Sequence, residues 1–355
     1  MPQEPPSDHL VPVAEIEAAR ERLVGRVHRT QLMTSATAAT WVTAATGARL
    51  ADDRLYLKPE HLQKTGSFKP RGMANRIATL SDAARAGGVI TLSAGNAGQA
   101  YAWAGRIAGV SVTVAMPAGA VRSKVDACLG YGARVVLHGA HVGETLAELE
   151  RIRDAEGLEF VHPFDDSAVI AGNGSIGLEL LEDLPELDVV VVGVGGGGLI
   201  SGVAAALKER RPAVRVYGVE PERSNAVSLA IQAGEIVRIQ PVSVADGLGA
   251  PFAGAWTLAM ARRYLDDIVL LDDPTILAGM RFAIERLKQV LEPAGAAALA
   301  AVLAGRIPIR DGERVAVVLS GGNVEVGRIG ELLAEAGTLP GAGTLSGAGL
   351  LPGAG

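Results

Sequence analysis

The chain has 355 residues, 48% of them apolar and 20% charged, and a net charge of −6. That is enough for two cores of ordinary size, while the acidic balance argues against nucleic acid or an anionic membrane as partner. No unbroken apolar run reaches the ~20 residues that span a bilayer. Cys128 is the single cysteine, so no intrachain disulfide can form, which fits a reducing, cytoplasmic setting. The histidines (9, 28, 61, 138, 141 and 162) never take a metal-ligand spacing, so no metal is expected.

The first residues, Met-Pro-Gln-Glu-Pro-Pro, do not form a basic region followed by an apolar one, so residues 1–10 read as a flexible leader and not as a secretory signal. Val13, Ile16, Ala19 and Leu23 have helical spacing, which predicts a helix over 11–25. The alternation in Leu55-Tyr-Leu57 predicts a strand. Further strands are predicted over 88–92, 112–115, 134–137, 188–192, 214–219, 267–271 and 314–319. The segments 97–109, 142–156, 198–211 and 323–335 have the length of crossover helices. This alternation implies parallel sheet covered on both faces, and Val189, Val190, Val191 and Val192 are apolar at every position, as such burial requires. The strands fall into two groups. One lies within 85–160 and makes a small domain; the other lies in 11–84 and 161–335 and makes a larger one. Residues 336–355 carry three copies of a six-residue Gly-rich repeat, beginning Ala336-Gly-Thr-Leu-Pro-Gly, and read as a disordered tail.

Four segments carry chemistry. In Lys64-Thr-Gly-Ser-Phe-Lys69-Pro-Arg-Gly72, turn-forming residues precede a lysine, and Pro70 suits a first helical position. A lysine at such a corner can form a Schiff base if its pKa is lowered, although the segment alone reads better as a solvated lysine at a helix start. Gly193-Val-Gly195-Gly-Gly-Gly198-Leu199 follows a buried strand and opens a helix, so its bare N–H groups can seat a phosphate. The same glycines satisfy G-x-G-x-x-G, and Glu220 ends the next strand at the distance of a ribose-binding acid, which keeps a nicotinamide-dependent dehydrogenase open. Ser93-Ala-Gly-Asn96-Ala-Gly98 can hold a carboxylate at a helix start, with Asn96 as an amide donor. Ser320-Gly-Gly-Asn323 offers an uncharged hydroxyl at a strand end. Together an amine, a phosphate seat, an amide and a hydroxyl fit pyridoxal 5′-phosphate.

These segments, with Val161-His-Pro-Phe-Asp-Asp166, Ala171-Gly-Asn-Gly-Ser-Ile-Gly177 and Glu292-Pro-Ala-Gly295 in the same order, make the chain resemble the fold type II pyridoxal-phosphate enzymes, and among them the threonine/serine dehydratases and serine racemases. The resemblance covers about 15–335. It implies an α/β fold of the tryptophan synthase β type, with two open parallel-sheet domains, the larger one binding the cofactor, and an active site in the cleft between them. It implies that Lys69 is the Schiff-base lysine, that Phe68 packs by the ring, and that Asn96 bonds the ring hydroxyl. Gly195, Gly196, Gly197, Gly198 and Leu199 would cradle the phosphate. Ser320 would meet the ring nitrogen, with Glu292 near that edge. Ser93, Ala94, Gly95, Asn96 and Ala97 would hold the substrate carboxylate. The implied reaction removes water and ammonia from L-threonine or L-serine, and the implied assembly is a homodimer or homotetramer.

Two departures bear on substrate and outcome. Ala97 stands where the family carries histidine, which opens the way to a bulkier or more polar β-hydroxy amino acid. Ala94 stands where racemases of the family place a serine, which argues against racemisation on the same scaffold. Relatives bind a divalent cation near the position of Glu220, but Pro221-Glu-Arg-Ser-Asn-Ala226 lacks the second carboxylate wanted for it. Glu220 therefore reads as a surface or ribose-type acid without metal. Asp246 is expected to orient a loop that faces the substrate.

Overall fold

The computed structural model describes residues 10–340. The expectations for the leader and for most of the repeat tail therefore lie outside the described residues. In chain order the strands are β1 (Met33–Ser35), β2 (Leu55–Lys58), β3 (Val89–Leu92), β4 (Val112–Met116), β5 (Arg134–Leu137), β6 (Glu159–Phe160), β7 (Val189–Gly193), β8 (Arg215–Pro221), β9 (Asp267–Leu271) and β10 (Val315–Val318). The helices are α1 (Val13–Leu23), α2 (Ala36–Thr46), α3 (Lys69–Ala78), α4 (Asp82–Gly87), α5 (Asn96–Ala108), α6 (Arg122–Gly130), α7 (Val142–Glu156), α8 (Ser167–Asp183), α9 (Gly198–Arg210), α10 (Ala226–Ala233), α11 (Ala255–Tyr264), α12 (Asp273–Phe282), α13 (Pro293–Leu303) and α14 (Val326–Ala334).

Two sheets form, as the strand groups predict. The larger runs β1-β2-β10-β7-β8-β9 and the smaller β5-β4-β3-β6. Every pairing is parallel except β1 with β2, which is antiparallel, so the larger sheet is mixed at one edge. The period of two along each strand divides the core. Val189 and Val191 of β7 enter the cluster built with α2, α12 and α13, while Val190 and Val192 enter the one built with α1, α8 and α9. Val315 and Val317 of β10 join the first cluster, and Ala316 and Val318 the second. A strand that must feed both faces has to be apolar throughout.

Helix α3, which begins at Lys69, does not stay with the larger sheet. Its Met73, Ala74 and Ile77 share a buried cluster with Val89, Ala100, Tyr101 and Val114 of the smaller one. On its other side it crosses α8 closely: a Cβ at Gly172 would overlap the Arg71 carbonyl. At the next crossing, a Cβ at Gly202 would overlap the Ile170 carbonyl. The glycines of the 171–177 segment thus serve backbone-to-backbone packing of α3, α8 and α9. No helix among the described residues is long and apolar enough to cross a membrane.

Candidate active site

The carboxyl ends of β2, β3, β7 and β10 lead into the lysine loop, the 93–97 loop, the glycine loop and the 320–323 segment respectively, the place where ligands bind in open α/β sheets. The lysine loop is stitched to the end of β10. Phe68 N donates to Ser320 O at 3.0 Å, Gly322 N to Gly66 O at 2.9 Å, and Ser67 bridges Gly321. Thr65 and Gly66 take left-handed backbone conformations (φ 59° and 75°) and turn the chain into α3. Lys69 Nζ is half-buried, donates to Pro163 O at 3.0 Å and lies 5.0 Å from the centre of the Phe68 ring. Burial pushes the amine down to about 8, against the upward pull of the Glu292 carboxylate. This meets the condition for a reactive lysine.

Across the cleft, α9 starts at Gly198 with Gly197 as a left-handed cap (φ 91°) and no side-chain capping bond. Among the described residues no acceptor meets the N–H groups of Gly195, Gly196, Gly197, Gly198 or Leu199. The buried hydroxyl of Ser201, in the same first turn, also lacks a partner. Such a row of free donors at a helix N-terminus fits the phosphate of pyridoxal phosphate. The glycines are demanded by the walls as well. A Cβ at Gly196 would overlap the Phe164 ring, and one at Gly195 would sit 3.1 Å from Leu248 Cα.

Helix α5 likewise starts without a side-chain cap, at Asn96. The N–H groups of Ala94, Asn96 and Ala97 have no acceptor among the described residues, while Gly95 N donates to Ser93 Oγ at 3.2 Å. Ala97 is buried and belongs to the apolar cluster with Ala100 and Tyr101. Asn96 Nδ2 donates to Glu292 Oε1 at 2.6 Å. Burial, then the charge of Asp246, raise the Glu292 carboxyl to about 7, opposed by the Asn96 bond and by Lys124 and Lys69. Ser320 is buried, and its hydroxyl makes only a long 3.5 Å contact to Ala294 O, which leaves it free to donate elsewhere. Asp246 accepts from Lys124 on α6, so its loop touches the small-sheet side of the cleft.

Two groups of residues were not assigned roles from the sequence. The first is the 161–166 segment. Pro163 supplies the acceptor for Lys69, and Phe164 walls the glycine loop. His162 Nδ1 accepts from Asp165 N at 2.7 Å, and burial together with the nearby Lys69 lowers the imidazole to about 4, so it stays neutral. The second is a buried ion cluster beneath the lysine loop. Arg71 donates to Glu60 at 2.7 and 2.8 Å and to Glu179 at 2.7 and 2.9 Å. Lys58 Nζ reaches Glu179 at 2.5 Å and Thr30 O at 2.7 Å. Two cations face two carboxylates, which holds α3 on β2 and α8. Hydrophobic periodicity carries no signal for either group.

Glu220 departs from expectation. It is fully buried, not on the surface, and its two oxygens accept from Val227 N and Ser228 N at 2.9 Å each. With both oxygens engaged at the start of α10, it cannot serve a ribose, and the nicotinamide reading loses its acid. Among the described residues no group of three or more His, Cys, Asp or Glu side chains is placed to hold a metal.

Comparison with known proteins agrees with this geometry. Residues 32–321 match the family described as Pyridoxal-phosphate dependent enzyme. The chain is 40% identical over 325 residues to an L-threonine ammonia-lyase of Thermotoga maritima, covering 91% of this chain and 78% of that protein. It is 38% identical over 325 residues to the L-threonine dehydratase catabolic TdcB of Escherichia coli, covering 91% and 96%. The structure of maize serine racemase matches with a TM-score of 0.85 at 33% identity, over 92% of this chain and 98% of that one. Matched by the family over residues 32–321 and by these relatives over most of its length, the chain belongs to the pyridoxal-phosphate dependent enzyme family, on the fold type II scaffold.

Proposed function

We propose that the protein is a threonine/serine dehydratase, an ammonia-lyase that converts L-threonine to 2-oxobutanoate or L-serine to pyruvate with release of ammonia. The observation that supports this is a lysine of lowered pKa together with two uncapped helix N-termini that follow strand ends, α9 suited to a phosphate and α5 to an amino-acid carboxylate. When bound, pyridoxal phosphate supplies the electron sink for the charge left at the substrate Cα. The residues 195–199 hold its phosphate through backbone N–H groups. Phe68 packs beside the ring, Asn96 donates to the ring hydroxyl, and Ser320 donates to the ring nitrogen without adding charge. Residues 93–97 seat the substrate carboxylate. Lys69 Nζ, whose pKa burial lowers to about 8, would take the Cα proton in its neutral form, which becomes the major one only above that pH. The β-hydroxyl would then leave as water, carrying the proton taken from Cα, and addition of water would release the 2-oxo acid and ammonia.

Ala94 carries no exchangeable proton for the opposite face of Cα, which favours elimination over racemisation. We further take the enzyme to be cytoplasmic and to work as a homodimer or homotetramer, with the domain boundaries given by the sequence. The test is a chemical one. Borohydride should abolish the visible band of the holoenzyme and leave a pyridoxyl adduct on the peptide containing Lys69. A Lys69→Ala protein that forms 2-oxo acid at the wild-type rate would refute the reading, as would D-amino acid released as fast as 2-oxo acid. A panel of β-hydroxy amino acids then ranks the substrates that Ala97 admits.

A further inference from the structure

The amide of Asn96 is held by a second amide that no step above uses. Asn323 Nδ2 lies 2.8 Å from Thr65 O and 2.8 Å from Asn96 Oδ1. A backbone carbonyl can only accept, so the atom of Asn323 facing Thr65 must be its nitrogen. That nitrogen has two hydrogens and two acceptors, Thr65 O and Asn96 Oδ1. Asn96 must therefore turn its oxygen toward Asn323 and its nitrogen toward Glu292 Oε1, at 2.6 Å. The direction of every bond in the chain Thr65–Asn323–Asn96–Glu292 is thus dictated from a main-chain carbonyl. The chain has no freedom at its start: Thr65 sits in a left-handed conformation in the lysine loop, and a Cβ at Gly66 would overlap Asn323 Oδ1.

We propose that Asn323 is a positioning residue that sets the sense of the Asn96 amide, so that Asn96 presents a donor, and not an acceptor, to the cleft. Asn96 Nδ2 uses one hydrogen on Glu292 and keeps the other for the ring hydroxyl of the cofactor; the inference rests on that reading of Asn96. Glu292 alone could not fix the sense. Flanked by Asp246, Lys124 and Lys69, its carboxyl is raised to about 7, and once protonated it can donate to an amide oxygen as readily as accept from an amide nitrogen. The chain also joins the lysine loop, which follows β2, to the 93–97 loop, which follows β3. The two loops that meet the substrate are thereby tied through one amide.

The test compares Asn323→Asp with Asn323→Ala. The aspartate variant keeps the shape but replaces the donor by acceptors, so Asn96 must turn its nitrogen toward position 323. The alanine variant leaves the Asn96 amide free to take either sense. A donor to the ring hydroxyl favours its ionised form, so the visible band of bound pyridoxal phosphate reports the sense directly. N323D is expected to lose at least half of the visible band to shorter wavelength and to lower kcat about tenfold or more, with N323A in between. A residue that only fills space predicts the reverse order, because alanine removes more atoms; that order, or a wild-type band in N323D, overturns the inference. A wild-type protein with no visible band after incubation with pyridoxal phosphate would overturn the reading of Asn96 as well, so the two failures are distinct. Should N323D fail to fold, neutron diffraction from deuterium-exchanged wild-type holoenzyme crystals decides the matter. Deuterium on the Asn96 atom nearest Glu292 supports the inference, and deuterium on the atom nearest Asn323 overturns it.

Discussion

Arg71 is the charge on which the seat of the lysine helix most depends, and Arg71→Met isolates its contribution. The guanidinium is fully buried and bonds Glu60, Glu179, Ser175 Oγ and the His28 carbonyl. Burial, the largest single effect, would raise the Glu60 carboxyl; the charge and hydrogen bonds of Arg71, with Lys58 and Thr30, together outweigh it and hold Glu60 below its ordinary value. Methionine fills most of the volume but leaves Lys58 as the only cation for two buried carboxylates, so one negative charge is uncompensated. Breaking a buried pair in this way costs ~3–5 kcal/mol, which for a chain of this size lowers Tm by roughly 4–7 °C. The pH dependence should change sign. In the wild type, Glu60 has a lowered pKa, so its stabilisation is complete above the ordinary carboxylate range and fades as the pH falls through the lowered value. In the variant a carboxyl with a raised pKa is relieved by protonation, so part of the lost stability returns as the pH falls from 8 toward 5. Adding Glu179→Gln restores one cation to one carboxylate and should recover part of the loss. Urea unfolding followed by circular dichroism, at a fixed excess of pyridoxal phosphate to hold ligand linkage constant, measures each value. A variant within about 1 kcal/mol of wild type at pH 8, or a loss that grows as the pH falls, would refute the account.

Gly196→Ala would push its Cβ into the Phe164 ring; overpacking of this kind costs ~1–3 kcal/mol. It should weaken pyridoxal phosphate binding about tenfold or more in a spectral titration, while Gly119→Ala, which meets open space, should not. Glu220 is raised to about 7 by burial, against the bonds from Val227 and Ser228. A raised carboxyl favours the fold below its unfolded pKa, and that advantage is lost as the pH climbs to about 7. Between pH 5 and 8, Glu220→Gln should therefore gain on wild type by up to ~3 kcal/mol in urea unfolding. Lys124→Ala breaks the contact with Asp246 across the cleft. The pair is partly exposed, so stability should move by less than ~1 kcal/mol, with the larger effect a several-fold rise in KM for the amino acid that salt mimics in the wild type.

The alternation of strands and helices was legible because parallel strands buried on both faces are apolar at every position, as in Val189 to Val192. β1 and β6 were not, since three and two residues show no period. The lysine, the glycine loop, Asn96 and Ser320 could be singled out as candidates because each proposed role needs a particular side chain, or none, just after a strand. Lys58, Glu60, Arg71 and Glu179 carry no pattern in the sequence that marks them as partners. Lys58 and Glu179 are 121 residues apart, and only the folded chain pairs them. Phe164 was given no role of its own from the sequence, and its place against Gly196 and Gly198 accompanies the sharp turn in which Phe164 N and Asp165 N donate to His162 Nδ1. Glu220 was misplaced on the surface because a carboxylate at a strand end usually faces water, whereas the N-terminus of α10 comes back to meet this one.

That last residue shows how an uncapped helix start can be completed by a carboxylate from elsewhere in the chain. Helices α5, α9, α10 and α11 all begin without a capping side chain of their own. At α10 the missing anion is Glu220, arriving from β8. At α11 it is Asp165, which accepts from Ala255 N at 3.0 Å and Thr257 N at 3.2 Å. At α5 and α9 no carboxylate of the protein arrives, although Glu292 lies within hydrogen-bond reach of the Asn96 side chain. An uncapped first turn leaves partial positive charge and unsatisfied donors. A phosphate at α9 and an amino-acid carboxylate at α5 would play the part that Glu220 and Asp165 play at α10 and α11, with Lys69, which donates to Pro163 O, as the amine of the lysine loop.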